Sequence, residues 1–99
     1  MKTYCFDIDG TICTNTDGKY KEAKPFLDRI HKINLLYDQD KIIILHSARG
    51  STTGINWYMF TTKQLKDWGV KYHLLVLGKP TADIYIDDKG IEANVFFEK

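Results

Sequence analysis

Two carboxylates near the start of the chain, Asp7 and Asp9, lie at a position that is typical of a reactive site. They follow the apolar run at residues 4–6, which predicts a buried strand, so both emerge where that strand ends. In an open α/β sheet the carboxyl ends of the strands are where ligands bind, and Gly10 lets the backbone turn sharply there. An Asp-x-Asp pair alone is also typical of a solvated turn, so its chemistry depends on what lies beside it.

A second acidic pair follows another apolar run, at residues 84–86, and predicts a second strand end of the same kind. If the two strand ends are neighbours, four carboxylates meet, and each close pair repels by about 4 kcal/mol at an effective dielectric near 20. A bound cation removes that repulsion. The sequence therefore predicts a metal site formed by Asp7, Asp9, Asp87 and Asp88.

The predicted second strand ends in a hydroxyl and a guanidinium, Ser47 and Arg49, on either side of Ala48. A serine and backbone N–H groups at a strand-to-helix turn can hold phosphate oxygens, and arginine can bind them in a fork. Ser47 could instead cap a helix, and Arg49 could form a surface ion pair. Lys79 precedes the apolar run that leads to Asp87 and Asp88. A single lysine is usually solvated, so a role for Lys79 is suggested only by these neighbours.

Five apolar runs of strand length set the expected architecture. They lie at residues 4–8, 42–45, 74–77, 84–86 and 95–97. The runs are continuous instead of alternating, which is typical of parallel strands covered by helices. With right-handed crossovers the pattern predicts an α/β fold, a Rossmann-like three-layer sandwich with a mostly parallel sheet.

Two helices are expected between these strands. The first has Pro25 in its first turn and an apolar face formed by Phe26, Ile30, Ile33 and Tyr37. The second follows Gly54 and ends at Gly69, and the residues expected to face the sheet are Tyr58, Leu65 and Trp68.

Composition predicts one domain, residues 1–99, with 43% apolar residues to form its core. The net charge of +1 comes from interspersed charges, which does not favour a nucleic-acid or anionic-membrane surface. No stretch has the length of a membrane helix, and two cysteines, Cys5 and Cys13, are typical of reduced structural thiols, so a cytoplasmic protein is expected. The three histidines are scattered, which disfavours a zinc site.

Together these motifs resemble the haloacid dehalogenase-like (HAD) superfamily of phosphatases over residues 5–88. The most specific element is residues 7–11, which look like the family's Asp-x-Asp-x-Thr signature. Ser47 resembles the second motif, Lys79 the third and Asp87-Asp88 the fourth. The resemblance is greatest to small proteins of capsule biosynthesis that lack a cap domain.

The resemblance implies a role for each matching residue. Asp7 would be the nucleophile that becomes an aspartyl phosphate, Asp9 the general acid and base, and Lys79 the cation of the catalytic group. Mg²⁺ would be held by Asp7, the Asp9 carbonyl oxygen and Asp87, with Asp88 acting through water or by hydrogen bonding. The phosphate and substrate contacts would come from Gly10, Thr11, Ser47, Ala48 and Arg49.

The implied activity is a Mg²⁺-dependent phosphomonoester hydrolase that acts on a small phosphorylated metabolite, a sugar or polyol phosphate of surface-polysaccharide synthesis. Two alternative hypotheses remain, a nucleic-acid 3′-phosphatase and a HAD-like binding module without catalytic activity. A receiver domain fits less well, because no acceptor aspartate ends the third predicted strand. The link from Lys79 to Asp87 is too short for the usual intervening helix, and Ala48 stands where relatives often have glycine.

The chain leaves no room for a lid, since neither residues 13–21 nor residues 70–78 can hold an inserted cap domain. An open site would leave the phosphoenzyme in bulk water, so a second subunit is the expected lid. We therefore expect a homo-oligomer, a dimer or tetramer. Trp57, Met59 and Phe60 are expected near its interface because they lie off the sheet-facing stripe of the second helix.

Overall fold

The computed structural model describes residues 2–98 and contains one parallel sheet of three strands in the order β1-β2-β3. The strands are β1 (Thr3–Asp7), β2 (Ile42–Ser47) and β3 (Leu74–Leu77). The helices are α1 (Leu27–Asp38), α2 (Tyr58–Asp67) and the short α3 (Ala93–Phe97), with a 3₁₀ turn at Tyr20–Glu22.

One face of the sheet carries the core. Because the strand order runs in one direction and parallel crossovers are right-handed, α1 and α2 fall on the same face. Buried residues from both helices join those of the strands there, including Ile33, Leu45 and Leu65, each fully buried. Helix α3 adds Phe96 and Phe97, whose rings lie 5.6 and 5.9 Å from the ring of Phe6.

The opposite face of the sheet is largely bare. It presents Cys5, Ile44, His46, Leu74 and Val76, which the strand register places side by side. Leu74 is 50% exposed and Val76 42% exposed, although both lie in strands. Since the helices on the other face account for the buried core, the described residues leave this apolar face without a cover.

Three of the five predicted strands are confirmed, those at residues 4–8, 42–45 and 74–77. The first is shifted by one residue, the second ends two residues later, and the third has the predicted bounds. The strand predicted at residues 84–86 is wrong, because that segment is irregular and exposed. The strand predicted at residues 95–97 is also wrong, because these residues end α3. The Glu92 side chain accepts a hydrogen bond from the Val95 N–H at 3.1 Å and thereby caps that helix.

The two predicted long helices are confirmed with changes at their ends. Helix α1 begins after Pro25, because the N–H of Phe26 bonds to the Ile12 carbonyl at 2.8 Å and keeps Phe26 extended. In α2, Leu65 is buried and Gly69 follows the helix end with φ +73° as predicted. Tyr58 is 43% exposed and does not face the sheet, and Thr61 is buried in the helix instead.

No inserted cap domain occurs within residues 2–98. None of the helices in this described part of the chain is both long and apolar enough to cross a membrane.

Gly50 lies in the loop after β2, and its substitution tests the backbone conformation of that loop. Its φ is +83°, and a Cβ there would run into the Ile55 carbonyl oxygen. Gly50→Ala should therefore lower the free energy of unfolding by about 3 kcal/mol, since backbone strain and a steric clash add together. Gly54→Ala is the matched control, because Gly54 has φ +77° but open space around the Cβ position. That variant should lose only about 1 kcal/mol in denaturant unfolding, and equal losses would contradict the clash.

Candidate active site

Asp7 ends β1 and has a cation beside it. Lys79 follows β3, where its N–H donates to the Ser47 carbonyl at 3.1 Å and fixes the segment at the carboxyl edge of the sheet. From there the Lys79 ammonium lies 3.4 Å from Asp7 Oδ1, with the two side chains 16% and 35% exposed. His46 is level with Asp7, and burial, then the Lys79 charge, lowers the pKa of its imidazole. The fixed positive charge at Asp7 therefore comes from Lys79.

Asp9 is held by Arg49 in a two-point ion pair. Arg49 Nε and Nη2 each donate to one oxygen of the Asp9 carboxylate, both at 2.9 Å, and Arg49 is only 2% exposed. Its Nη1 donates to Thr61 Oγ1 at 3.1 Å and to Gln64 Oε1 at 2.7 Å, both on α2. The Tyr20 ring covers the guanidinium at 4.5 Å. Arg49 therefore joins the loops after β1 and β2 to helix α2.

A tight turn after β1 presents the two aspartates. The Gly10 N–H donates to the Cys13 carbonyl at 2.9 Å, and Gly10 has φ +82°, a conformation that suits glycine. Thr11 donates its N–H to Ile8 and accepts a hydrogen bond from Arg29 at 2.9 Å through its carbonyl. Burial, followed by the Asp9 carboxylate, raises the pKa of the Cys13 thiol to about 12, so this thiol stays protonated beneath the site.

The aspartates open into a cavity of about 490 Å³. This volume is within the usual range for small-molecule sites. Its walls include the aromatic side chains Tyr20, Trp57 and Tyr85. The Tyr20 and Trp57 rings meet edge to face at 4.8 Å, and Lys79 Nζ lies 4.1 Å from the centre of the Tyr85 ring.

The predicted site residues divide into three groups. The cavity is lined by Asp7, Asp9, Ala48, Arg49 and Lys79. Ser47 is 1% exposed and its Oγ accepts the Arg49 N–H at 3.0 Å, so it shapes the loop behind the cavity, and Gly10 and Thr11 form the turn below. Asp87 and Asp88 are not brought to this group and lie in an exposed loop.

Asp87 serves a local turn instead. Its Oδ1 accepts hydrogen bonds from the N–H groups of Lys89 at 2.7 Å and Gly90 at 2.5 Å. These backbone hydrogen bonds lower the pKa of the Asp87 carboxyl group. Asp87 is therefore an ionised carboxylate on an exposed loop.

The donors of one chain do not fit the magnesium ion that the fold implies. Nowhere in residues 2–98 do three or more carboxylate, histidine or cysteine side chains converge closely enough to hold a metal. Of the two aspartates at the carboxyl end of β1, Asp7 is the one whose oxygens are not engaged by Arg49, because both Asp9 oxygens already accept hydrogen bonds from it. Mg²⁺ requires several hard oxygen ligands in near-octahedral geometry, and the described residues of one chain do not supply such a set.

The sequence analysis did not identify Thr61 and Gln64, the two residues of α2 that hold the Arg49 side chain. Their signal is a spacing of three on α2, which places two polar side chains on one helix face. Sequence reasoning also assigned Trp57 to a subunit interface, and in the structure its ring packs against Tyr20 and lines the cavity.

Comparison with known proteins places the fold. No family model matches the chain, and no curated protein matches its sequence. A crystal structure of an MCSG target from Vibrio cholerae matches with a TM-score of 0.88 and 25% identity, covering 100% of this chain and 89% of that one.

Two further solved structures share the fold at lower identity. The first is the D,D-heptose 1,7-bisphosphate phosphatase of B. bronchiseptica in complex with magnesium and phosphate. It has a TM-score of 0.60 and 17% identity, over 84% of this chain and 53% of that chain. The second is a chain of the Pnkp1/Rnl/Hen1 complex, with a TM-score of 0.65 and 21% identity, over 99% of this chain and 34% of that chain. The present chain thus spans about half of the first and a third of the second, and it has a HAD-like α/β fold without a cap in its described residues.

Proposed function

We propose that the chain is a phosphomonoester hydrolase that works through an aspartyl phosphate on Asp7. The observation that carries this proposal is the Asp7 carboxylate at a strand end, with the Lys79 ammonium 3.4 Å away and the Asp9 carboxylate in the same cavity. The fold shared with a heptose bisphosphate phosphatase supports it.

The reaction uses two displacements at phosphorus. Asp9 enters the reaction in its protonated form, with the proton taken from solvent. An Asp7 oxygen attacks the phosphoryl group, the bond from phosphorus to the ester oxygen breaks, and the leaving oxygen takes the proton from Asp9. Water then gives a proton back to Asp9 and attacks phosphorus, which breaks the bond to Asp7 and releases inorganic phosphate. Two steps with a positioned acid and base replace one difficult hydrolysis.

Lys79 offsets the charge of this reaction. The phosphate dianion must approach the Asp7 carboxylate, and an ammonium 3.4 Å from that carboxylate attracts both groups. Such positioning and charge neutralisation account for most of the catalysis of phosphoryl transfer.

Arg49 is a positioning residue in this proposal, which revises its predicted role as a phosphate clamp. Its guanidinium is buried and directed at Asp9, Thr61 and Gln64. The two-point contact fixes the plane of the Asp9 carboxylate beside Asp7, so that a proton can reach the leaving oxygen.

The proposed substrate is a sugar or polyol phosphate of surface-polysaccharide synthesis, handled in the cytoplasm. The cavity size and its aromatic walls suit a small polyol with apolar C–H faces. A free thiol at Cys5 and another at Cys13 agree with a reducing compartment. A 3′-phosphorylated oligonucleotide is the competing substrate, and the net charge of +1 does not favour it.

Substrate choice is tested with purified protein and a panel of sugar, polyol and 3′-oligonucleotide phosphates, measured by release of inorganic phosphate. We expect the sugar and polyol phosphates to give the highest kcat/KM and a weak dependence on salt. A preferred oligonucleotide with steeply salt-dependent binding would instead assign the chain to nucleic-acid ends.

The nucleophile is tested by Asp7→Asn, which keeps side-chain volume but removes the attacking oxygen. Phosphate release should be abolished, whereas the thermal unfolding midpoint should stay close to that of the unchanged protein. Full activity in this variant would exclude the covalent mechanism.

The cation beside Asp7 is tested by Lys79→Met, which should lower kcat by at least about a hundredfold. Lys63→Met is the control, because Lys63 forms an exposed ion pair with Asp67 and has a side chain 78% exposed. The control should keep its activity. A Lys79 variant as active as the control would show that the ammonium plays no part in the reaction.

The positioning role of Arg49 is tested with Arg49→Met and Arg49→Lys. Removing one partner of a nearly buried ion pair should lower the free energy of unfolding by about 3 kcal/mol for Arg49→Met. Arg49→Lys retains the charge but not the fork, so it should recover most of that stability and still lower kcat with little change in KM. Full kcat in the lysine variant would exclude the positioning role.

A further inference from the structure

We infer that two copies of this chain exchange residues 82–91, here named the arm, and that each arm brings Asp87 and Asp88 to the Asp7 site of the other copy. This inference deepens the proposed function, since it supplies the carboxylates that one chain lacks. The exchange itself is argued only from the geometry of the sheet and of the arm and does not depend on the proposed activity.

The arm has the composition of a strand, and its isoleucines are exposed. Tyr85 contacts Lys79 Nζ of its own chain at 4.1 Å, and exchange of the arm would replace that contact. Ile84 is 76% exposed, Ile86 92% and Ile91 66%. β-branched side chains of this kind are typical of sheets, yet residues 82–91 belong to no strand or helix. Apolar residues grouped in this way mark a contact surface.

The arm cannot reach the Asp7 edge from within its own chain. To bring Asp87 level with Asp7, residues 84–86 must run parallel to β1, and parallel strands require a crossover of about a dozen residues or more. Only six residues, 78–83, separate β3 from the arm's apolar run.

Most of this short connection is also fixed in place. Ser51 Oγ donates to the Lys79 carbonyl at 2.7 Å, and the hydroxyls of Thr52 and Thr81 lie 3.3 Å apart. Three Cα steps from Thr81 to Ile84 span at most about 11 Å. To run parallel to β1 up to the level of Asp7, the segment must first return from the carboxyl edge of the sheet by the length of three strand residues, about 10 Å. The available length is then used up, and none remains to carry the segment from β3 past β2 to the outer edge of β1. An arm from a second copy has no such limit.

The receiving surface is the open edge of β1. The Lys2 carbonyl accepts from the Ile42 N–H, so even-numbered residues of β1 direct their backbone groups to β2. Thr3, Cys5 and Asp7 therefore direct theirs outward, and no strand of the described chain pairs with that edge. An unpaired edge is a template for a strand from another chain, and the bare face beside it continues the apolar surface.

The occupant is a second copy because the arm and the edge belong to the same chain. Each copy offers one arm and one open edge, so a two-fold arrangement satisfies both at once and closes. With Asp87 level with Asp7, the two carboxylates of the arm join Asp7 as hard oxygen donors of the kind that Mg²⁺ prefers.

Mass measurement by light scattering is the first test. The unchanged protein should have twice the chain mass at micromolar concentration, and the double variant Ile84→Asp/Ile86→Asp should be a folded monomer. Leu35→Asp is the control on the exposed surface of α1, where Leu35 is 46% exposed, and it should stay dimeric. If Met59→Asp on α2 separates the copies and the arm variant does not, the interface is the α2 surface and the exchange is excluded.

A disulfide locates the arm. With Asp87 beside Asp7, residue 85 lies beside Cys5 of the other copy, within the Cα separation that a disulfide allows. Tyr85→Cys should therefore form a covalent dimer through the exposed Cys5 under mild oxidation, because the Cys13 thiol is buried and out of reach. Ile91→Cys, at the far end of the arm, is the control and should not form it. An intramolecular disulfide in Tyr85→Cys would show that the arm folds back on its own chain.

Complementation tests the shared site. Asp7→Asn and Asp87→Asn/Asp88→Asn should each be inactive alone, and refolding them together should restore about a quarter of normal activity, because half the dimers are mixed and each has one intact site. No recovery in a proven mixed dimer would exclude exchange of the carboxylates. If the arm variants instead keep full activity while Asp7→Asn is inactive, the proposed function stands and the inference fails. An active Asp7→Asn would overturn the function but leave the mass and disulfide results decisive for the exchange.

Discussion

The ion pair between Asp9 and Arg49 is the interaction on which the rest of the site depends. It connects the turn after β1 with the loop after β2, and through Thr61 and Gln64 it extends to α2. Gln64 passes the connection on, since its side-chain N–H donates to the Tyr20 carbonyl at 2.8 Å. Because Arg49 is 2% exposed, loss of its contact with Asp9 would leave a buried charge unpaired. This pair therefore fixes the position of Asp9 relative to α2.

A second constraint is topological. Strands that follow one another in a single direction place their crossover helices on one face, so neither α1 nor α2 covers the other face. After β3, six residues lead to the apolar run of the arm, and the described part of the chain that follows, up to residue 98, contains only the short helix α3. The bare face at Leu74 and Val76 and the exposed arm are two results of the same short connection. The proposed exchange would bury both surfaces against a second copy.

The sequence predicts those features that depend on local pattern. The apolar runs of β1, β2 and β3, the face of α1 and the approach of Lys79 to Asp7 follow from periodicity and from parallel strand ends. Residues 84–86 have an equally good strand pattern, but a strand needs a neighbour, and the pattern does not say which chain provides it. Residues 95–97 also look extended, yet the Glu92 cap and the contact of two phenylalanine rings with Phe6 favour a helix. Arg49 was assigned to phosphate because its partners on α2 are distant in sequence.

Charge balance explains why a metal and the arm belong together. In one copy, the charges of Asp7 and Asp9 are matched by those of Lys79 and Arg49, so these four side chains have no net charge. Adding Asp87 and Asp88 alone would make the base of the cavity more negative by two charges, which opposes both the arm and the phosphate. A divalent cation cancels those two charges, and it can do so only where their oxygens are present. Binding of the cation and docking of the arm therefore each favour the other by the same free energy, because coupling between two binding events is reciprocal. On this argument, assembly of two copies is part of forming the active site.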